Sequence, residues 1–332
     1  MIERGQAAQA KLTTLRSADM VSPFPARGLD ERVSEAGLVL DPHLTDQIAA
    51  TIDAGKHVVL IGPPGTGKTT LAYLVGRAAA DALLCSGYQP TTATSGWTTT
   101  ETVGGMFATP EGVVFRPGLF VEAIANGRWL IIDELNRADL DLSFGPLFTV
   151  LAGSPIVLPF AWPGHTLPIS IVPPDADVPA ETEPIRVPAS WRLLATMNIF
   201  DKNLLHRLSY ALMRRFAFIE VPSPSQASMR KLLKGPGEIV AKLLVLRRLR
   251  DLGPALYLDA QRFVARRLED GVTPSRALFE AFYAYFLPQF DGIDQDGPHL
   301  FELVSTLFDR KEQDEARRAI RTVLSGGGGL HA

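Results

Sequence analysis

The stretch Gly62-Pro-Pro-Gly-Thr-Gly-Lys-Thr69 decides the fold of this chain. It follows an apolar run, His57-Val-Val-Leu-Ile61, which is rich in β-branched residues and predicts a buried parallel strand. The residues after it, from Thr69 to Ala80, have the pattern of a helix. A strand, a glycine-rich loop and a helix in this order form the context in which such a loop binds phosphate. A chance match in a glycine-rich turn is the alternative, and the flanking elements argue against it.

The residue types of this loop are those that a bound triphosphate needs. Its glycines let the backbone turn so that successive N–H groups converge on phosphate oxygens, and the following helix directs its positive end to the same place. We expect Lys68 to reach the β- and γ-phosphates and the Thr69 hydroxyl to bind Mg²⁺. The residues expected to hold the nucleotide here are Gly62, Pro63, Pro64, Gly65, Thr66, Gly67, Lys68, Thr69 and Thr70.

A second strand, Trp129-Leu-Ile-Ile-Asp-Glu134, ends in two carboxylates. Ligands bind at the carboxyl edge of such sheets, so Asp133 is expected to hold the magnesium through water and Glu134 to polarise the attacking water. Taken alone, an apolar run before Asp-Glu indicates only a solvated strand end. Together with the loop it favours hydrolysis over transfer to a small acceptor, because a kinase needs no water-activating glutamate.

Two further segments carry candidate catalytic residues. The buried strand Trp191-Arg-Leu-Leu-Ala-Thr-Met-Asn198 ends in an amide that could orient the hydrolytic water, although a strand-end asparagine can also simply cap a turn. Downstream, Arg214 and Arg215 precede an apolar strand. Such a pair is usually surface charge, but a guanidinium offered to a neighbouring subunit's γ-phosphate is the arginine-finger arrangement.

Several of these motifs together resemble the MoxR/McrB-type, dynein-related branch of AAA+ ATPases. The similarity runs from roughly Leu38 to Leu287 and is closest to McrB-like proteins in Ile132-Asp-Glu-Leu-Asn-Arg-Ala-Asp139, Ala195-Thr-Met-Asn198 and Tyr210-Ala-Leu-Met-Arg-Arg-Phe-Ala-Phe218. The resemblance implies an α/β P-loop core with a parallel sheet of order 5-1-4-3-2, a small helical lid and a ring, commonly a hexamer.

The resemblance also implies roles for single residues. Asn198 would be sensor 1, and Arg214 or Arg215 would be the finger that acts in trans. Asn136 and Arg137 follow the acidic pair as in McrB-like relatives and would lie at the subunit interface.

The same resemblance divides the chain. An N-terminal extension over residues 1–37, an ATPase core over 38–221, a helical lid over 222–324 and a flexible tail over 325–332 are expected. In the lid, Gly271-Val-Thr-Pro-Ser-Arg276 opens a helix whose packing stripe is Phe279, Phe282, Tyr283 and Phe286. Arg276 would be the sensor 2 arginine, which contacts the γ-phosphate; a surface arginine beside a helix cap is the alternative.

Two insertions interrupt the expected core. Met106 to Phe115 reads as a hairpin turning at Pro110-Glu-Gly112, followed by a helix from Leu119 to Asn126. The proline-dense segment from Pro155 to Pro188 predicts an extended loop or edge hairpin rather than central strands. Relatives use such hairpins to line the ring pore or to dock partners; without the resemblance both would be surface loops.

Composition sets the remaining expectations. The chain has 332 residues, a net charge of -3 and one cysteine. That charge gives no general affinity for nucleic acid or anionic membranes, and a lone cysteine cannot form an internal disulfide, as in a reducing compartment. The N-terminus lacks an apolar run, so we expect a cytoplasmic protein without a membrane anchor.

The sequence leaves the work done by the ATPase open among three classes. One is a protein-remodelling ATPase with a von Willebrand factor A-type partner, and another is a McrB-like motor of a restriction or defence system with a nuclease partner. The third is a nucleotide-dependent scaffold with little turnover, which the intact acidic pair disfavours. No DNA-reading element is evident, so DNA would be contacted only through a partner. ATP is the expected nucleotide; GTP stays possible because McrB-like proteins use it, although Met197-Asn-Ile-Phe-Asp201 matches their motif only in part.

Overall fold

A computed structural model describes residues 23–110, 112–198, 214–290 and 297–325 of the chain. The described residues form two compact units. The first contains those up to Gly62 and from Lys68 to Val221, and the second contains Pro63–Gly67 and those from Pro222 onward.

A five-stranded parallel sheet forms the centre of the first unit. Its strands are β1 (His57–Gly62), β2 (Tyr88–Thr92), β5 (Trp129–Asp133), β9 (Leu193–Asn198) and β10 (Phe216–Glu220). Their spatial order is β10-β1-β9-β5-β2. Counted among these five strands alone, this is the order 5-1-4-3-2, so the predicted fold class is confirmed.

Helices cover the sheet and bury its apolar residues. They are α1 (Ala26–Glu35), α2 (Leu44–Asp53), α3 (Lys68–Asp81), α4 (Thr99–Thr102), α5 (Leu119–Ala125) and α6 (Leu140–Leu151). The three central strands are almost wholly apolar because they are buried on both faces, as parallel strands are. Helix α1 lies in the segment expected to be an N-terminal extension, and its Leu29 and Val33 are buried in this same core.

The first predicted insertion is a hairpin. Strands β3 (Gly104–Thr109) and β4 (Gly112–Pro117) are antiparallel and pair up to Thr109 and Gly112, next to the expected turn. Met106 and Val113 on this hairpin are more than half exposed.

The second insertion differs from the prediction. It forms a three-stranded sheet of β6 (Ile156–Val157), β7 (Ile169–Val172) and β8 (Glu183–Arg186), with β7 in the middle and wholly buried. The expectation that prolines exclude a central strand was wrong because the prolines flank β7 rather than interrupt it. Pro184 lies in β8, an edge strand, where a missing N–H is tolerated.

The second unit is helical from Pro222 onward in its described part. Its helices are α7 (Gln226–Leu232), α8 (Gly237–Val240), α9 (Pro254–Glu269), α10 (Pro274–Ala281), α11 (Gly297–Ser305) and α12 (Arg310–Ser325), with 3₁₀ turns at Ala241–Arg248 and Leu287–Phe290. They enclose a separate apolar core. Arg247 and Arg250 donate to backbone carbonyls within this unit.

One residue of the predicted aromatic packing stripe in the lid lies outside the core. Phe279, Phe282 and Phe286 are buried, but Tyr283 is 54% exposed. The segment Phe282–Phe286 is a π-helix, with hydrogen bonds to the fifth rather than the fourth residue. The buried face is formed by Phe279, Phe282 and Phe286, which are three and four residues apart, and Tyr283 lies outside it.

In the described parts of both units, no helix has the length and apolar character needed to cross a membrane.

His57, the first residue of β1, makes the stability of the first unit depend on pH. It is buried between the rings of Trp191 and Phe216, and its Nδ1 accepts the N–H of Leu193 at 3.1 Å. Burial, with nearby cations, lowers the pKa of His57 from 6.5 to about 3. The unfolded chain therefore binds a proton that the folded chain excludes, and stability is lost as the pH falls below 6.5.

We expect the free energy of unfolding to fall by about 2 kcal/mol from this residue alone between pH 7 and pH 5. Urea unfolding at both pH values measures the loss. His57→Gln keeps an acceptor but cannot titrate, so its loss should be smaller, whereas His43→Gln, on an exposed histidine, should behave as the parent. Equal pH dependence in the parent and His57→Gln would contradict the assignment.

Candidate nucleotide-binding site

Gly62 ends β1 where the backbone of the neighbouring chain segment comes very close. A Cβ atom on residue 62 would lie 2.3 Å from the carbonyl oxygen of Val221. The Val221 N–H in turn donates to the Ile61 carbonyl at 2.7 Å, which holds the two segments together. Only glycine fits at this position, so the loop leaves the sheet at a fixed point.

The loop that follows has the conformation that sequence predicts for a phosphate-binding loop. Gly65 and Gly67 have φ values of 75° and 89°, the left-handed region that favours glycine. The Thr66 hydroxyl is buried and donates to the Pro63 carbonyl at 3.1 Å, which closes the turn within the loop. Pro64 is exposed, as is Thr70 one turn into α3.

Lys68 and Thr69 are the first two residues of α3. The Lys68 ammonium is buried and donates to the Gly62 carbonyl at 2.9 Å, so its side chain folds back across the loop. A helix N-terminus and an ammonium at one point form an anion site suited to phosphate.

The two predicted metal ligands meet. The Thr69 hydroxyl donates to Asp133 Oδ1 at 2.7 Å, although 64 residues separate them along the chain. A hydroxyl and a carboxylate at this distance are hard oxygen ligands of the kind that Mg²⁺ accepts. Among the described residues no cluster of three or more acidic, histidine or cysteine side chains could hold a metal alone. The residues therefore fit an ion that takes its other ligands from phosphate and water.

Glu134 follows Asp133 in an unusual backbone conformation. Its φ of 52° and ψ of 46° are left-handed, which costs a non-glycine residue about 1 kcal/mol or more and is found most often at functional sites. The conformation turns the chain from β5 into a 3₁₀ turn, Leu135–Arg137. There the Arg137 Nε lies 2.5 Å from the Glu134 Oε2, and the arginine side chain is 60% exposed. An ion pair of such exposure is worth at most about 1 kcal/mol, so the carboxylate can exchange it for another contact.

Asn198 is the last residue of β9 and lies beside the start of the loop. It pairs with Gly62 in the register of β1 and β9, and its side chain is half-buried. Lys68, Thr69, Asp133, Glu134 and Asn198 are thus placed by the ends of three adjacent strands and the helix that follows the first. This convergence agrees with the sequence prediction.

The two candidate finger arginines differ in what they contact. The Arg215 Nη2 donates to the carbonyl of Ala152 at 2.6 Å, which caps the C-terminus of α6. The Arg214 side chain is exposed, and within the described ranges it makes no hydrogen bond or ion pair. Its backbone carbonyl accepts from Lys56 at 2.8 Å. The residues immediately before the pair, from Tyr210 to Met213, lie outside those ranges, as do Ile199 and Phe200, on which the doubt about GTP rests.

Arg276, the predicted sensor 2 residue, belongs to the second unit. It lies in the first turn of α10, where Thr273 is the N-cap. Its Nε donates to Glu280 at 2.9 Å and its Nη1 to Glu315 at 2.7 Å. Two carboxylates therefore hold the guanidinium, a feature that the sequence motif does not indicate.

One residue of the site escaped the sequence analysis. Thr196 lies on β9, which is between β1 and β5 in the sheet. Its hydroxyl hydrogen-bonds to the Asp133 carboxylate and to the backbone N–H of Glu134. The only available signal was a polar residue within an otherwise apolar strand, two positions before Asn198.

A match to a known family agrees with this geometry. Residues 57–216 match the family model described as AAA domain (dynein-related subfamily). The strand, loop and acidic pair described above lie within this range, so this part of the chain is similar to a P-loop AAA domain. Among curated proteins no match is found. The crystal structure of NtrX from Brucella abortus aligns over 88% of this chain and 71% of its own, with 14% identity and a TM-score of 0.40, too low to indicate shared function.

Lys68 makes nucleotide affinity depend on pH. Burial lowers the pKa of its ammonium from 10.5 to about 8, although Asp133 and Glu134 oppose the shift. Because a bound triphosphate favours the ammonium form, binding takes up a proton and weakens above pH 8. We expect the Kd for an ATP analogue to rise about tenfold between pH 7 and pH 9. Fluorescence titration across this range measures it. Lys68→Arg keeps its charge and should show a flat profile; a flat profile in the parent would contradict the prediction.

Proposed function

We propose that the protein is a Mg²⁺-dependent ATPase that works as an AAA+ ring, with six subunits as the expected number, and remodels or moves a partner macromolecule. The single observation that carries the proposal is the 2.7 Å contact between Thr69 and Asp133. It brings the phosphate-binding loop and the acidic strand end together in the arrangement that triphosphate hydrolysis needs.

Each residue of the site has a part in the proposed reaction. The loop N–H groups and Lys68 bind the phosphates, and Thr69 with Asp133 holds the metal. Mg²⁺, when bound, neutralises the charge that develops on the phosphate oxygens. Glu134 orients a water molecule and accepts its proton as that water attacks the γ-phosphorus, and the bond from the γ-phosphorus to the bridging oxygen breaks so that ADP and phosphate leave. Asn198 holds the same water from the neighbouring strand.

The arginine pair supports action across a subunit boundary. Both side chains are exposed, but Arg215 is hydrogen-bonded to α6 of its own subunit, whereas Arg214 makes no side-chain hydrogen bond or ion pair within the described ranges. We therefore assign the finger to Arg214 and a structural role to Arg215. Completion of the site by a neighbour makes hydrolysis depend on assembly.

The role of Arg276 as sensor 2 stays part of the proposal. An arginine held by Glu280 and Glu315 has a defined position at the start of α10, but a contact to phosphate requires it to release at least one carboxylate. Such an exchange would link the state of the nucleotide to the packing of the helical unit.

We propose a protein partner for this ATPase, of the kind found in the MoxR/McrB-like branch. Either a von Willebrand factor A-type protein or a nuclease subunit would fit, and DNA would be contacted only through the second. The exposed Met106 and Val113 on the β3–β4 hairpin are the described apolar side chains best placed on an inserted element to meet such a partner.

Steady-state hydrolysis tests the proposal. Purified protein should hydrolyse ATP only with Mg²⁺, with turnover per subunit rising as the protein concentration rises, and light scattering should show a ring-sized species with a non-hydrolysable ATP analogue. Lys68→Ala should abolish binding and turnover. Parallel assays with GTP and with added DNA distinguish the nuclease-associated alternative. Concentration-independent turnover by a monomer would overturn the ring.

A further inference from the structure

Thr196 is a polar residue at the centre of the sheet. It is 1% exposed and lies in β9, opposite Leu60 of β1 in the register. On the other side, the ladder between β5 and β9 ends at the pair Ile132 and Ala195, one residue before Asp133 and Thr196. Beyond this pair, the hydrogen bonds from β9 to Asp133 and Glu134 are made by the Thr196 side chain.

The Thr196 hydroxyl accepts one hydrogen bond and donates another. Its Oγ1 accepts the backbone N–H of Glu134 at 3.0 Å and donates its own proton to Asp133 Oδ1 at 2.5 Å. A hydroxyl has one proton to donate, so these two bonds define its orientation. Among side chains of this size, serine alone shares this ability to donate and accept through one hydroxyl.

Both contacts act on residues of the proposed site. Asp133 Oδ1 accepts from Thr69 on the loop side and from Thr196 on the sheet side, so its carboxylate is held from two directions. The second bond reaches the backbone of Glu134, a residue in the left-handed conformation. Because that conformation sets where the Glu134 side chain leaves the chain, a bond to its N–H helps to set the position of the carboxylate.

We propose that Thr196 is a positioning residue that orients Asp133 and Glu134 together through the two hydrogen bonds of one buried hydroxyl. The inference rests on the proposed hydrolysis. It adds that β9 contributes to the site through the middle of its length and not only through Asn198 at its end.

Replacing the Thr196 hydroxyl by a methyl group, which keeps the shape of the side chain, tests the inference. Thr196→Val should lower kcat about 10- to 100-fold, because small displacements of reacting groups have effects of this size. The KM for ATP should rise by no more than the affinity that Mg²⁺ adds in the parent, since the loop is untouched. Thr196→Ser should recover most of kcat. Thr102→Val is the matched control: Thr102 is also 1% exposed, and its hydroxyl donates to the Ser143 carbonyl, away from the acids.

A second measurement does not depend on turnover. The parent should bind a fluorescent, non-hydrolysable ATP analogue more tightly with Mg²⁺ than without it, and Thr196→Val should lose most of that gain. Thermal unfolding of all variants checks that they are folded at the assay temperature. Thr196→Val with parental kcat and a parental Mg²⁺ effect would overturn the inference and leave the ATPase intact. A parent that does not hydrolyse ATP would instead overturn the proposed function, and the Mg²⁺ effect would still decide the role of Thr196 at Asp133.

Discussion

Replacement of Glu134 by glutamine is expected to reduce ATP turnover by about two to four orders of magnitude, the range that a positioned general base contributes. The amide has nearly the same shape but cannot accept a proton from water. Nucleotide binding should persist, because Lys68, Thr69 and Asp133 are unchanged. Single-turnover hydrolysis and a binding titration on the same sample separate the two effects.

A matched control variant shows whether the loss of turnover is specific to Glu134. Glu220→Gln changes the same residue type at the last position of β10, an exposed site on the same sheet, and should keep parental turnover. Parental turnover in Glu134→Gln would remove the role in water activation. A loss of binding together with turnover would show instead that Glu134 supports the loop.

Arg214→Ala is expected to lower turnover by about three orders of magnitude or more, as the loss of an arginine finger does. Arg215→Ala should have a smaller effect on turnover and lower the free energy of unfolding by about 1 kcal/mol, because it removes the cap on α6. The two variants are matched, since they change neighbouring residues of one type. Equal turnover defects in both would contradict the assignment of the finger to Arg214.

Mixing of inactive subunits tests whether Arg214 acts across a boundary. A Glu134→Gln subunit keeps its arginine, and an Arg214→Ala subunit keeps its glutamate. In rings mixed at equal amounts, about a quarter of the boundaries pair an intact glutamate with an intact arginine, so turnover should return to about that fraction. Mixed samples that stay as inactive as each variant alone would show that the arginine acts within its own subunit.

The similarity of residues 57–216 to the dynein-related AAA domain was predictable from local sequence. The glycines, Lys68 and Thr69 all lie within residues 62–69, and their chemistry depends mainly on a backbone conformation that glycine permits. The acidic pair could be assigned as well, because an apolar run followed by carboxylates indicates the end of a buried strand. The finer resemblance to the MoxR/McrB-like branch stays a prediction.

Other features depended on contacts that no local pattern contains. The helix at Phe282–Phe286 is a π-helix rather than an α-helix, and the prolines of the second insertion lie on either side of β7 rather than in it. Local periodicity describes a regular helix or strand, so it fails where the backbone departs from that regularity.

The sequence by itself determined the phosphate-binding loop and the order in which the acidic and polar strand ends occur. Only the tertiary structure decided that the Asp133 carboxylate is shared by Thr69 and Thr196, and that Arg215 is hydrogen-bonded to the end of α6. The physical reason is distance along the chain. A loop conformation follows from neighbouring residues, whereas a hydrogen bond between residues 60 or more positions apart depends on the register of the strands that bring them together.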